Sequence, residues 1–312
     1  LTDQGTNFRE TDADFSQAES PSAALEEARA TVKRNEKPPS LLAYPATYLL
    51  VGINVLVFLV MFQYSPAVDM IRHHAGLKIL TAEFSFNTLM RFGACDSQAV
   101  LQSGQWWRLI TSMFVHVTIL HITINMWCLW NLGLFGEPLL GKRGLVAVYL
   151  LTGWAGMLLS LAFSIMAGSD GLHGRPDSLV AGASGSIFGI AGILIILLSN
   201  RKLSLPWKEL RALRRSVIWF ALLNLGIGII PDMLPAGSDA QLQRLHLDPN
   251  LLPHVANGAH LGGFFAGLAL GFPLLPRMTT GRTSYRARQR VVFTVSTLAL
   301  CLVCYGIARY AQ

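Results

Sequence analysis

Charge is what this sequence has least of. Only 14% of its 312 residues are Asp, Glu, Lys or Arg, against 52% hydrophobic ones, where a soluble domain averages about 25% charged. With a mean hydropathy of +0.43, the chain lacks the polar surface that would keep a globule in water. Cysteine is scarce too: Cys95, Cys128, Cys301 and Cys304 form no CxxC pair and no Cys/His ligand spacing. That excludes a disulfide framework and a zinc module, and the four read as lone thiols. No period of 20–50 residues recurs, which argues against a transporter assembled from evident repeats. Residues 1–40 lack an apolar h-region, so no cleavable signal peptide is expected there. Polar, rich in Ala, Ser, Glu and Asp and ending in KPPS, they are expected to form a flexible, water-exposed tail, and the start at Leu1 suits a processed chain.

Long apolar runs are abundant. A helix needs about 17–25 mostly apolar residues to cross roughly 30 Å of hydrocarbon. Seven windows qualify: about 46–63, 117–135, 145–167, 180–199, 217–231, 255–275 and 291–308. The fifth is short. The expected fold class is therefore an all-α polytopic membrane protein. With the N-terminus placed in the cytoplasm, the tail and the segments 136–144, 200–216 and 276–290 lie inside and carry 18 of the 25 Lys and Arg residues. This positive-inside bias accounts for the net charge of +7 and leaves no case for a nucleic-acid partner. The partners are the lipid bilayer and what lies in it. Trp106, Trp107 and Arg108 in the long first outer loop suit the headgroup level.

Polar side chains inside spans are costly and mark function by default. Span two, VTILHITINMWCLWNLGLF, carries His121 and Asn125 four residues apart, on one helical face. Span four begins VAGASGSIFGIAG and offers Ser184 and Ser186, and span six carries His260. All three spans run from outside to inside. His121, Ser184 and His260 come four or five residues in, about 6–8 Å below the outer boundary at 1.5 Å per residue. Small-xxx-small rows in spans four (Gly185, Gly189) and six (Gly263, Gly267, Gly271) let two backbones approach closely. The bland alternative is that the glycines only pack helices and Ser184 bonds its own i−4 carbonyl.

The chemistry such a cluster supports is acyl transfer. A serine hydroxyl needs a positioned base to become a nucleophile, and an imidazole can take its proton and return it to the leaving amine. His121, Asn125 and the Ser184 N–H can face a developing oxyanion. No carboxylate lies near this depth in spans two, four or six, so a Ser–His dyad is expected, with Phe188 one turn below Ser184 as a packing surface for the ring.

GASG at 182–185, HITIN at 121–125 and NGAHLGGFFAG at 257–267 resemble the three signature motifs of the rhomboid intramembrane serine proteases, and WWR at 106–108 and GLFGE at 133–137 look like two further ones. The resemblance covers about residues 44–276. It implies a rhomboid-like six-helix bundle that cleaves transmembrane proteins near the outer face, with Ser184 as nucleophile, His260 as general base and His121 and Asn125 in the oxyanion group. It also implies that Phe188 stacks on His260 where several members carry Tyr, with Gly182 and Gly185 supporting the serine. The seventh transmembrane helix makes a six-plus-one form. The chain then has three regions: a cytoplasmic tail (1–40), the protease core (41–276) and a basic loop with the seventh helix (277–312). The host is expected to be a bacterial inner membrane. No cofactor and no metal are expected.

Other readings stand beside this one. Ser186 points about 200° away from Ser184 along a helix, so only one of them can meet His260, and the motif favours Ser184. The soluble-hydrolase elbow GxSxG fails because position 186 is Ser. His116 either tunes the site or faces headgroups. An inactive rhomboid-like adaptor that binds membrane proteins is one alternative function. A transporter is another, although spans four and six turn apolar below Phe188 and Phe265. The loop 232–254 and the fifth span are expected to act as lid and gate.

Overall fold

The computed structural model describes residues 43–65, 76–166, 179–200, 208, 210–219, 221–222, 257–275 and 282–310. The expected tail, lid and most of the fifth span lie outside these residues. The chain divides into Leu1–Ala43 and Tyr44–Gln312, and the helical bundle and the site belong to the second unit.

Its helices are α1 (Pro45–Phe62), α2 (Phe86–Phe92), α3 (Ser97–Leu101), α4 (Arg108–Thr111), α5 (Ile119–Leu140), α6 (Lys142–Met166), α7 (Ser184–Leu197), α8 (Asn257–Leu274) and α9 (Arg282–Tyr310). Short 3-10 turns span Gly76–Thr81 and Ser112–Phe114, and residues 210–219 are helical as well. The protein is all-α among the described residues, apart from a single antiparallel bridge between Cys95 and Val180. Among the described residues four helices are long and apolar enough to cross a membrane: α1, α5, α6 and Thr283–Tyr310 of α9. α7 is as apolar but has only 14 residues, or about 21 Å at 1.5 Å per residue.

The core follows from composition. α7 is apolar all round, and such a helix must be enclosed by others. Gly185 through Leu194 are all buried, with α6 and α8 on either side. Glycine makes the α7–α8 crossing close: a Cβ at Gly263 would collide with the Gly185 carbonyl, and one at Gly267 with that of Gly189. Between α6 and α8, a Cβ at Gly262 would lie 2.9 Å from the Ala155 carbonyl oxygen.

Several boundaries differ from expectation for identifiable reasons. α5 runs on through Glu137 and Pro138 to Leu140. The Glu137 carboxylate is not exposed there. It accepts the N–H groups of Ala46 (3.0 Å) and Thr47 (2.9 Å) and the Thr47 hydroxyl (2.8 Å), satisfying donors that the first turn of α1 leaves without intrahelical partners. α9 extends back through the basic stretch to Arg282 because its base is held: Gln289 donates to the Leu140 carbonyl (2.8 Å) and Arg288 to that of Leu275 (2.9 Å). These bonds cap the ends of α5 and α8. Arg108 also departs from the headgroup reading. It is buried, donating to the carbonyls of Met90 (2.8 Å) and Ala94 (2.9 Å) and to Gln105 Oε1 (2.6 Å), so it knits the first loop together. Trp107, exposed, carries the guanidinium on its ring at 4.5 Å.

Candidate active site

The site is built where three helices begin. Thr118 caps α5, its hydroxyl accepting the His121 N–H at 3.0 Å, which makes His121 the third residue of the helix. Asn125, one turn on and buried, donates from Nδ2 to the His121 carbonyl at 3.1 Å. His260 is the fourth residue of α8.

Ser184 is the first residue of α7, and here the structure corrects the sequence. The apolar window predicts a helix from residue 180. Instead residues 179–183 form a non-helical strap, with a bridge at Val180, a bend at Gly182 and a turn at Ala183, because their backbone groups are taken by other segments. Val180 exchanges two bonds with Cys95 (2.7 and 2.9 Å), and Gly182 N–H donates to the Ser112 carbonyl at 2.9 Å. With no helical turn before it, Ser184 has no i−4 helical carbonyl to bond. The strap ends at Gly182 with φ +127°, a conformation that favours glycine. A Cβ there would meet His121 Cε1 at 2.8 Å and Nε2 at 2.9 Å, and Asn125 Nδ2 at 3.8 Å. The α5 pair therefore faces the backbone just ahead of Ser184.

On the other side, the rings of Phe188 and His260 are stacked, with centroids 4.4 Å apart and planes at 24°. Phe188 lies one turn below Ser184 on the same face of α7, so His260 packs beside the face on which Ser184 stands. Ser184 is half-buried, whereas His260 is 7% exposed. Among the described residues no group bonds His260 Nδ1, and no cluster of three His, Cys, Asp or Glu side chains could hold a metal. Ser186 faces away: fully buried, it donates to Met113 Sδ at 3.3 Å. An apolar cavity of about 280 Å³, lined by Phe188, His260, Leu222 and Phe264 among others, borders the imidazole.

His116 does not face headgroups. It is fully buried, its Nε2 accepts the Ala183 N–H at 3.5 Å, and its ring meets that of His121 edge-on at 5.1 Å. Burial, and then the neighbouring His121, holds it well below the ordinary histidine range. The sequence signal for this was the HVTILH spacing, which leaves the direction of the ring undecided. Cys95 is no rival nucleophile, since burial and the adjacent Asp96 carboxylate push its thiol up to about 12. Cys128 is buried as well.

The fold and the site define a helical membrane protein with a hydroxyl at a helix start, beside an imidazole held by ring stacking, near a His–Asn pair. Comparison narrows the class. The Rhomboid domain profile matches residues 103–277, more than half of the chain. The chain is 30% identical over 245 residues to rhomboid protease GluP of Bacillus subtilis (strain 168), covering 78% of this chain and 37% of that protein. It is 29% identical over 241 residues to RHOMBOID-like protein 7 of Arabidopsis thaliana, covering 73% of this chain and 65% of that one. Inactive rhomboid protein 1 of Callithrix jacchus is 30% identical over 200 residues, covering 63% of this chain and 19% of that protein. The chain thus spans less than two thirds of the length of each of these relatives. It belongs to the rhomboid family, which includes proteases and inactive members.

Proposed function

We propose that this chain is an intramembrane serine endopeptidase that cleaves transmembrane protein substrates near the outer membrane face. Ser184 attacks the scissile carbonyl, and His260 takes its proton and passes it to the leaving amine. The oxyanion is met by the Ser184 N–H, the Asn125 amide and His121. Phe188 holds the imidazole plane in place of a hydrogen-bonded carboxylate, while Gly182 and Gly185 keep the approaches to the serine open. In this reading residues 41–276 are the protease core, residues 1–40 a cytoplasmic tail and residues 277–312 a basic loop with an added helix. The host is a bacterial inner membrane with the N-terminus inside. The observation that carries the reading is the Phe188–His260 stack, one turn from a serine that opens its helix.

The test is cleavage of a single-span substrate by the purified full chain in detergent. Ser184→Ala and His260→Ala should each abolish it, the double change should cost little more, and Ser186→Ala should stay active. Cleavage surviving in Ser184→Ala would assign the nucleophile elsewhere. An intact wild-type chain that retains membrane proteins without cutting any would make it an inactive, binding member of the family.

A further inference from the structure

Three bonds from the strap and the start of α7 land on one short segment. Gly182 N–H donates to the Ser112 carbonyl (2.9 Å), Ala183 N–H to His116 Nε2 (3.5 Å) and the Ser186 hydroxyl to Met113 Sδ (3.3 Å). These residues flank Ser184 on both sides. Its backbone direction, and so the aim of its N–H and hydroxyl, is therefore set by where residues 112–116 sit.

That segment is in turn held from behind. Tyr149 of α6, fully buried, donates its hydroxyl to the Met113 carbonyl at 3.0 Å, and Asn54 of α1, also fully buried, donates its amide to the Tyr149 oxygen at 3.2 Å. A Tyr hydroxyl and an Asn amide inside the membrane region are costly unless they bond something. Here the bonded carbonyl belongs to the residue next to Ser112, whose own carbonyl carries the strap. The ring of Phe114 packs on Tyr149 at 5.6 Å, fixing the angle from which the hydroxyl reaches Met113.

We propose that Tyr149, backed by Asn54, is a positioning residue for the reaction: through Met113 it fixes the 112–116 segment and thereby the orientation of Ser184. The inference rests on the protease reading above. A loose segment would leave substrate free to bind but the attacking oxygen and the oxyanion donor out of line, and a displacement of about 1 Å costs on the order of 100-fold in rate. The loss should fall on kcat and leave KM in place.

Tyr149→Phe removes only the hydroxyl. In the full-length protein, its kcat on a single-span substrate should fall about 10–100-fold, with KM close to that of wild type. Hydrogen exchange at the Gly182 and Ala183 amides should quicken. Thr47→Val serves as the structural control, because it removes an equally buried hydroxyl bond, to Glu137, at the far end of the bundle. It should lower thermal stability comparably and leave kcat unchanged. If Tyr149→Phe does not fold, Asn54→Leu is read the same way, with a smaller loss. Should wild type itself fail to cleave, the protease reading falls and the exchange measurement alone decides the positioning claim. Unaltered exchange at Gly182 and Ala183, or a kcat that drops no more than in Thr47→Val, would overturn it.

Discussion

His121 and Asn125 come up against one backbone position, Gly182, where even a methyl group would strike the imidazole. Asn125 gives its amide to the His121 carbonyl, which orients the group that the proposed mechanism assigns to the oxyanion. Asn125→Ala should therefore lower turnover about 10–1,000-fold with KM little changed, measured on a single-span substrate. His116 makes a different prediction. Its folded-state proton affinity is depressed by burial and by His121, so below about 6.5, the ordinary histidine value, the unfolded chain binds a proton that the folded one refuses. Stability is then fully present above that pH and declines as the pH falls. Thermal unfolding between pH 7 and 5 should show the decline, and His116→Gln should flatten part of it. What the sequence made legible at this scale is position: Ser184, His260, His121, Asn125 and Phe188 all fall within the first two turns of their helices. The burial of His116 and Arg108 was not legible, because each bonds a backbone group more than ten residues away, Ala183 for His116 and Met90 and Ala94 for Arg108.

Where α7 starts decides what Ser184 can do. An apolar window reports only that a stretch prefers oil, and 180–199 reads as one span throughout. The strap 179–183 is equally apolar, but its N–H and C=O groups find partners in the first loop and at Ser112, so it need not coil. The α7–α8 crossing is the second feature at this scale. Both helices are cut by glycine at four-residue spacing, and the backbones meet at Gly185–Gly263 and Gly189–Gly267. Gly267→Ala has no room, since its Cβ would press on a backbone carbonyl that no side-chain rotation can move. It should cost about 1–3 kcal/mol in detergent unfolding and, by parting Phe188 from His260, reduce cleavage as well. Full activity with unchanged stability would mean that the two helices separate freely. The glycine rows were visible in the sequence, yet which rows face each other was not, since α8 also turns glycines toward α6.

The bundle as a whole is fastened at its two ends by different means. At one end, Glu137 holds the start of α1. At the other, the Arg108 loop and the strap hold the site. α9 lies along the outside of the bundle, with Val292, Phe293, Leu300, Cys304 and Ile307 partly buried against it. None of its most apolar stretch is buried, and its base is pinned through Gln289 and Arg288. Deleting residues 282–312 should therefore lower the unfolding temperature, by freeing the carbonyls of Leu140 and Leu275, while cleavage of a transmembrane substrate persists. Loss of all cleavage in a folded, truncated chain would give α9 a part in the reaction. By itself the sequence determined the class of protein and its helical character, and it supplied the residues proposed for the site. Hydropathy is additive along a chain, and the motif residues keep their spacing whatever surrounds them. Only the tertiary structure decided that α7 begins at Ser184, that Ser186 turns away to Met113 and that His116 and Arg108 point inward. Each of those outcomes depends on where a buried backbone or side-chain group finds its hydrogen-bond partner, and those partners arrive from distant parts of the chain.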